Sequence, residues 1–511
     1  MKNIFVISIL ILCTGLTFSQ NSVKEITLQD AIKLTLENNL DLQIAKYNPE
    51  LANTQIAYQK GLFTPTFTTS LQNVSMKTPA SSDLAGAPAL KDKDFAYNFG
   101  INYLSVYGTS MSASFQNTRY ATNSFFTNIN PRFNSTLSFR FSQPLLKSFG
   151  KENVQYLVIQ AKNNKTISDY NYKQKIVDLI QNVQQAYWNT VYTYESYEVT
   201  KSSLELARKL LQDTQAKVDV GAIAPIEILS AKAEVASREA QLITAEKNIK
   251  TAENILKTII DSNDDPHALL YSIKPVDKAE YKEMKLDLNT LIETAFNNRP
   301  DLYVTETTIK QKELDERYFR NALLPSLNFT LGAGLTGLGG TKLIYSGGIF
   351  DRILVGTIPG GYGDALSQLF GGDYNNWSVG FELTYPILNK QEKANYLSAQ
   401  LAKDQVILSK KRQKQLITIQ IENAKKDIEM NAKGIEAAKA ATALQEEKLK
   451  AEEKKLAVGL STNFYVLQYQ SDLATARSNE LQATISYIIS VATLEHAISA
   501  PLPESNLKYK F

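Results

Sequence analysis

His267 and His496 are the only histidines in a chain of 511 residues, and Cys13 is its only cysteine. A bound transition metal needs several ligands converging on one point, and a nucleophile needs a base within hydrogen-bond reach. Two distant histidines and a single thiol supply neither, so no metal site and no Cys/His nucleophile pair is expected. No glycine-rich phosphate loop and no serine elbow of the hydrolase kind is present, so no cofactor and no catalytic residue is expected. Fifty-five basic and 52 acidic residues leave a formal charge of +3, too nearly balanced to suggest nucleic-acid binding. What the residue types do offer is conformational. Gly221 and Gly459 interrupt long helical patterns, and a glycine inside a helix costs about 1 kcal/mol relative to alanine.

The start of the chain bears on where those helices lie. Lys2, an apolar run from Ile4 to Leu16 and small residues at Thr17 and Ser19 form the pattern of a cleaved signal peptide over 1–19, with Gln20 as the first mature residue. The alternative, acylation of Cys13 as in a lipoprotein, ordinarily needs a small residue where Leu12 stands. Without the signal, the mature chain has no cysteine and no disulfide. Past residue 20 no uninterrupted apolar run is long enough for a membrane-spanning helix. An exported chain of this kind is either soluble outside the cytoplasm or a membrane β-barrel.

The sequence repeats itself. "LQDAIKLTLENNLDL" (28–42) returns as "LNTLIETAFNNRPDL" (288–302), "FSQPLL" (141–146) as "LTYPIL" (383–388), and "VDVGAIAPIEIL" (218–229) as "LAVGLSTNFYVL" (456–467). A first repeat over 20–260 and a second over 288–499 are thus expected, joined by a polar connector at 261–287 with Pro266 and Pro275 and followed by a tail at 500–511. Each repeat reads as helix, strands, long helix, glycine turn, helix. Pro65 and Pro325 mark where helical spacing gives way to alternation. "SLNFTLGAGL" (326–335), "NWSVGFELTY" (376–385), "TLSFRFS" (136–142) and "FAYNFGINY" (95–103) alternate apolar with polar or small residues. Such strands suit a barrel between lipid and water, and equally a half-buried sheet in a soluble sandwich. From Gly332 to Gly372 the chain holds 13 of its 23 glycines in a mostly uncharged stretch, which reads as a long exposed surface loop.

The helices give the strongest signal. Ile176, Ile180, Val183, Tyr187, Val191 and Tyr194 mark one face, which Leu204, Ala207, Leu211, Thr214 and Val218 continue in steps of three and four. Residues 150–220 and 387–458 each lack proline and would make helices of roughly 100 Å. Leu242, Ala245, Ile249, Ala252, Leu256 and Ile259 form a coiled-coil seam on the shorter helix after the first glycine. Gly221, with Pro225 close behind, and Gly459 sit where long and short helices meet, so both read as helix stops at which the chain doubles back. The fold class is therefore α+β, two antiparallel helical hairpins with strands at one end.

On "NNRPDL" followed by Pro325, the "QPLL" and "YPIL" strand exits and the "VG" tips with their return helices, the chain resembles the TolC-like outer-membrane efflux proteins over essentially its whole mature length. The resemblance implies a homotrimer in the cell outer membrane, its strands pooled into one transmembrane β-barrel and its helices forming a coiled-coil tunnel across the periplasm. It implies four strands per protomer. Here the first repeat alone offers four candidates, 66–75, 95–104, 110–119 and 134–143, the middle pair reading as an extra hairpin turning at Gly108, so four or six per protomer stay open.

The resemblance further implies passive conduction, energised by an inner-membrane transporter and a periplasmic adaptor that would contact the tips at Val220, Gly221, Ala222, Val458, Gly459 and Leu460. The alternative is that these residues only form turns. Well-known members narrow the periplasmic gate with two aspartates, and Tyr465 and Gln468 occupy those places here. Glu227 matches an acidic residue that pairs with an arginine near the second tip, where this chain has Ser461; a bond to Ser461, a pair with Lys454 or Lys455, and a solvated glutamate are all open. Tyr97, Tyr103, Trp377 and Tyr385 could form interfacial girdles in outer-membrane lipid, or pack within the strands. A soluble periplasmic adaptor or stalk is the rival of another class; the lipoyl-like segments of adaptors are absent. Nothing in the residues supports an enzyme, and nothing names the cargo.

Overall fold

The computed structural model describes residues 23–81, 86–261, 271–348 and 351–502. The expected signal peptide with Cys13, the residues Pro266 and His267, and most of the expected tail lie outside them.

The first repeat runs β1 (Val23–Ile26), α1 (Leu28–Asn38), α2 (Leu40–Gly61), β2 (Thr66–Pro79), β3 (Ala89–Leu104), β4 (Ser110–Thr122), β5 (Ile129–Pro144), α3 (Lys151–Val154), α4 (Tyr156–Asp219) and α5 (Ile226–Ile260). After β6 (Ser272–Pro275) the second runs α6 (Leu288–Asn298), α7 (Pro300–Ala322), β7 (Ser326–Ser346), β8 (Ile353–Ile358), α8 (Tyr362–Gly371), β9 (Asn375–Thr384), α9 (Lys390–Ala457) and α10 (Asn463–Ile498). At 64 and 68 residues, α4 and α9 are about 96 and 102 Å long. The single opening helix expected in each repeat is a pair, broken at Asn39 and at Arg299, both with extended backbone.

The chain divides into two compact units. One holds the described residues up to Asn48, Tyr170–Tyr303 and those from Lys411 onward. Its core follows the repeat. Ile26, Ile32, Val183, Tyr187, Leu256 and Ile260 form one buried cluster, and Leu291, Ile417, Ile421, Ile428, Leu494 and Ile498 a second. Most of the expected stripe is buried, with Leu210 rather than Leu211 taking the inward place on α4. The connector contributes β6, which pairs in parallel with β1. Tyr187 donates its hydroxyl to Asp277 at 2.7 Å, and the same carboxylate accepts the Leu28 amide at the start of α1. Burial, first, and the Asp277 bond, second, push the Tyr187 phenol up.

The other unit, Pro49–Asp169 and Val304–Lys410, contains a seven-stranded antiparallel sheet. Its order is β2-β3-β4-β5-β7, with β9 along the helix-proximal half of β7 (Ser326–Leu335) and β8 along the far end (Lys342–Ser346). Tyr156 stacks on Tyr318 at 4.1 Å and donates to Asp315 where α4 and α7 leave the sheet.

The glycine-rich stretch is not the surface loop its composition suggests. Up to Ser346 it is β7, then comes β8, and α8 packs on the sheet with Ala365 and Leu369 fully buried. Burying a leucine contributes about 1.5–3 kcal/mol. The glycines provide clearance: a Cβ on Gly337 would lie 1.9 Å from the Ala365 carbonyl oxygen, and one on Gly339 would lie 2.2 Å from that of Gly361. The Gln368 side chain accepts the Leu338 amide where β9 has ended and β8 has not begun, so α8 satisfies an edge that would otherwise stay open. Gly337→Val is expected to unseat α8 at about 1–3 kcal/mol, read as faster hydrogen exchange over residues 353–371. Gly363→Ala, whose methyl meets nothing within 4 Å, is expected to leave that exchange unchanged or slower.

Candidate functional site

Two surfaces carry the features that the sequence singled out, one on the sheet and one at the helical turns. Paired residues of neighbouring strands share a face, so the register sorts the sheet into two chemistries. One face carries Leu327, Phe329, Leu331, Ala333 and Leu335 of β7 opposite Leu383, Phe381, Val379 and Trp377 of β9. The other carries Thr68, Gly100, Ser114, Ser138, Gly334 and Asn376 in a single row. The apolar face is largely open: Trp377 is 78% exposed, Phe381 69% and Phe139 50%. Leu327 to Leu335 spans about 27 Å along the strand, or about 21 Å at a 40° tilt, close to the apolar height of a bacterial outer-membrane barrel. Beyond that band the same face turns polar. Asn117 and Ser135 are fully buried there, and Tyr362 of α8 donates to Asn117 at 2.9 Å. Tyr97 lies edge-on to Tyr362 at 5.7 Å, so it packs against α8 instead of standing free as a girdle residue.

At the turns the repeat holds in detail. Gly221 and Gly459 have φ of +71° and +74°. The Ala222 amide bonds the Lys217 carbonyl and the Gly221 amide that of Val218; Leu460 bonds Lys455 and Gly459 bonds Leu456 in the same two spans. Each is a Schellman closure, which uses the left-handed residue to satisfy the last carbonyls of the long helix. The chain doubles back at both glycines, as their placement predicts. Val220 is 78% and Leu460 79% exposed, and Ala222 and Val458 are also exposed.

Beside the second turn, Ser461 donates to Glu452 at 2.6 Å and Lys455 pairs with the same carboxylate at 3.1 Å. The serine hydroxyl and then the lysine hold Glu452 below the usual carboxylate range. Within the protomer, therefore, Ser461 does not bond Glu227, and neither Lys454 nor Lys455 pairs with Glu227. Asn463 bonds Thr214 at 3.0 Å, both buried, over a small core of Leu210, Leu449, Val466 and Leu473. Tyr465 is half exposed with Phe464 edge-on at 5.6 Å, and Gln468 donates to Asp472 at 3.0 Å. Phe464, Glu452, Asn463 and Asp472 were missed from the sequence. The spacing of 452 and 461 carries no sign of a contact, because it crosses the turn. Among the described residues no cluster of ligands for a metal ion occurs.

The breaks at Asn39 and Arg299 anchor the other ends of the return helices. Asn39 donates to the Ile259 carbonyl at 2.9 Å, and Arg299 donates to the Ala497 carbonyl at 2.8 Å while gripping Asp301 with both arms of its guanidinium. Burial pushes Asp301 up, but the Arg299 contacts prevail and its carboxyl lies below the usual range.

The sequence profile described as outer membrane efflux protein matches residues 31–261 and 291–500. No curated protein matches the chain. Among solved structures, the CmeC outer membrane channel of Campylobacter jejuni superposes with a TM-score of 0.64 at 19% identity, covering 95% of this chain and 90% of its own. The open-state MtrE outer membrane channel of Neisseria gonorrhoeae gives 0.63 at 20% identity over 94% and 91%. The outer membrane protein VceC of Vibrio cholerae gives 0.62 at 13% over 93% and 96%.

Gly459→Ala is expected to destabilise by about 1–2 kcal/mol, the strain of a side chain in the left-handed region, measured as a lower melting temperature. Ser461→Ala is expected to lower stability at neutral pH. Because Glu452 is depressed in the folded chain, that difference should be full above the ordinary glutamate range and vanish as pH falls through the Glu452 pKa, as followed by melts across pH.

Proposed function

The chain belongs to the outer membrane efflux protein family, and from that premise we propose that it is the exit duct of a tripartite export system. Three copies pool their strands in the outer membrane, and their helices continue the path through the periplasm. Cargo crosses passively; an inner-membrane transporter and a periplasmic adaptor supply the energy and the opening. Nucleic acid has no part in it. The observation that carries this reading is the sheet itself. One face is apolar and exposed over the height of a membrane, the opposite face is lined mainly with serine, threonine, asparagine and glycine, with Arg140 and Glu382 among them, and both edges are open. Among the described residues no helix is long and apolar enough to cross a membrane.

The adaptor would dock on the turns through Val220, Gly221, Ala222, Val458, Gly459 and Leu460, of which Val220, Ala222, Val458 and Leu460 present exposed apolar side chains. Tyr465 and Gln468, with Phe464 beside them, would narrow the periplasmic gate by aromatic bulk and an amide. A ring of carboxylates at a constriction concentrates cations, and these side chains do not. Glu227 at the first turn would be a partly exposed gate residue, with Ser461 committed to Glu452.

Outer-membrane fractions should retain the protein through carbonate extraction as a heat-modifiable trimer, and release into the soluble fraction would refute the duct. Single-channel conductance is expected to be insensitive to micromolar divalent cations. Replacing both Tyr465 and Gln468 with aspartate should create a block, and strong block of the unaltered channel would refute the aromatic gate.

A further inference from the structure

Between β2 and β5 the sheet contains a complete hairpin, β3 and β4. β3 pairs with β2 from Asn102–Thr66 to Ala89–Pro79, and with β4 from Leu104–Ser110 to Asp92–Thr122. Its turn lies at the end of the sheet where the helices begin. Gly108, at φ +89°, is so close to Val154 and Pro144 that a Cβ there would stand 2.9 and 3.2 Å from them, and Thr109 bonds Gln143. The hairpin thus crosses the sheet from one end to the other.

Its faces also keep phase with the rest. Ile101 and Ala113 fall in one row with Phe67, Phe139, Ala333 and Trp377 on the apolar face. Ile101 is 51% and Met111 43% exposed. A hairpin folded over the rim would face water on both sides, and nothing would keep its apolar residues in register with a lipid-facing band. At the level of that band the ladder reads β2-β3-β4-β5-β7-β9, and its free edges belong to β2 and β9. β2 runs away from the helices and β9 towards them, so β2 of one copy can meet β9 of the next in antiparallel pairing.

We infer that each protomer contributes six strands to the wall and that three copies close a barrel of eighteen, not the twelve that four strands each would give. The inference rests on the trimeric duct proposed above. At strand spacings of about 4.8 Å and a tilt of about 40°, eighteen strands make a backbone circle about 36 Å across, against about 24 Å for twelve. Barrels of that strand number hold an aqueous channel. The barrel is then no sieve, and cargo is limited in bulk by what the helical turns admit.

Cryo-electron microscopy of the full chain in lipid nanodiscs, with native mass spectrometry on the same sample, tests this by strand count. Eighteen strands in a trimer is the expected result. Twelve in a trimer overturns the inference and leaves the duct standing, whereas the absence of a trimer overturns the duct reading and the inference with it. Single cysteines give an independent check, because the only native one lies at residue 13, within the expected signal peptide. In intact outer membranes Ser114→Cys should react with a hydrophilic maleimide. Ala113→Cys should react about tenfold or more slowly, because the reactive thiolate does not form in hydrocarbon. Labelling at both, or at neither, overturns the inference.

Discussion

A backbone amide in hydrocarbon has no water to bond, and each unpaired one costs several kcal/mol. At the level of the apolar band the sheet of this protomer pairs its interior strands on both sides but leaves β2 and β9 each with one open edge. Those edges lie at the level where the apolar face is exposed, so water cannot satisfy them there. Only closure with further copies removes both deficits at once, pairing the edges and giving the apolar face a lipid surround. Where the sheet rises above the band, other devices take over. α8 and β8 cover the far part of β7, and Gln368 bonds the amide left between them.

The same economy governs the helices. Long helices need their terminal carbonyls satisfied, and each hairpin does so twice. At the turns a left-handed glycine closes a Schellman motif. At the other end a side-chain donor, Asn39 in one repeat and Arg299 in the next, reaches the last turn of the return helix. The chemistry differs, amide against guanidinium, while the geometric task is the same. That is why the two repeats superpose in function at residues that sequence alignment alone would treat as a mismatch.

Much of this was legible in the sequence because it rests on periodicity and on punctuation by glycine and proline. The turns at Gly221 and Gly459, the two repeats, the strand starts after Pro65 and Pro325 and the alternating faces all follow from such local signals. The stretch from Gly332 to Gly372 was misread, because glycine has two uses that composition does not separate. It loosens a loop, or it removes a Cβ where another backbone must approach, as Ala365 approaches Gly337. The breaks at Asn39 and Arg299 were also missed, since the apolar spacing runs on through them. β1 and β6 are four residues each and exist only because they pair across the whole first repeat. The bond from Ser461 to Glu452 depends on the turn geometry and leaves no trace in residue type.

The polar sheet face and the helical turns differ in their chemistry. On the polar sheet face the row of Thr68, Gly100, Ser114, Ser138, Gly334 and Asn376 is uncharged, while Arg140 stands in the row beside it and Glu382 nearer the helices. At the turns Phe464 and Tyr465 stand exposed, with Glu452 held by Ser461 and Lys455 and Asp472 by Gln468. Exposed apolar residues at a turn that is otherwise closed by its own backbone bonds have no structural task within the protomer. Val220 on one hairpin and Val458 and Leu460 on the other are exposed in this way. The exposed turn residues are what the docking proposed above would cover, and the small polar row, with Arg140 beside it, is what a solute in the proposed duct would meet.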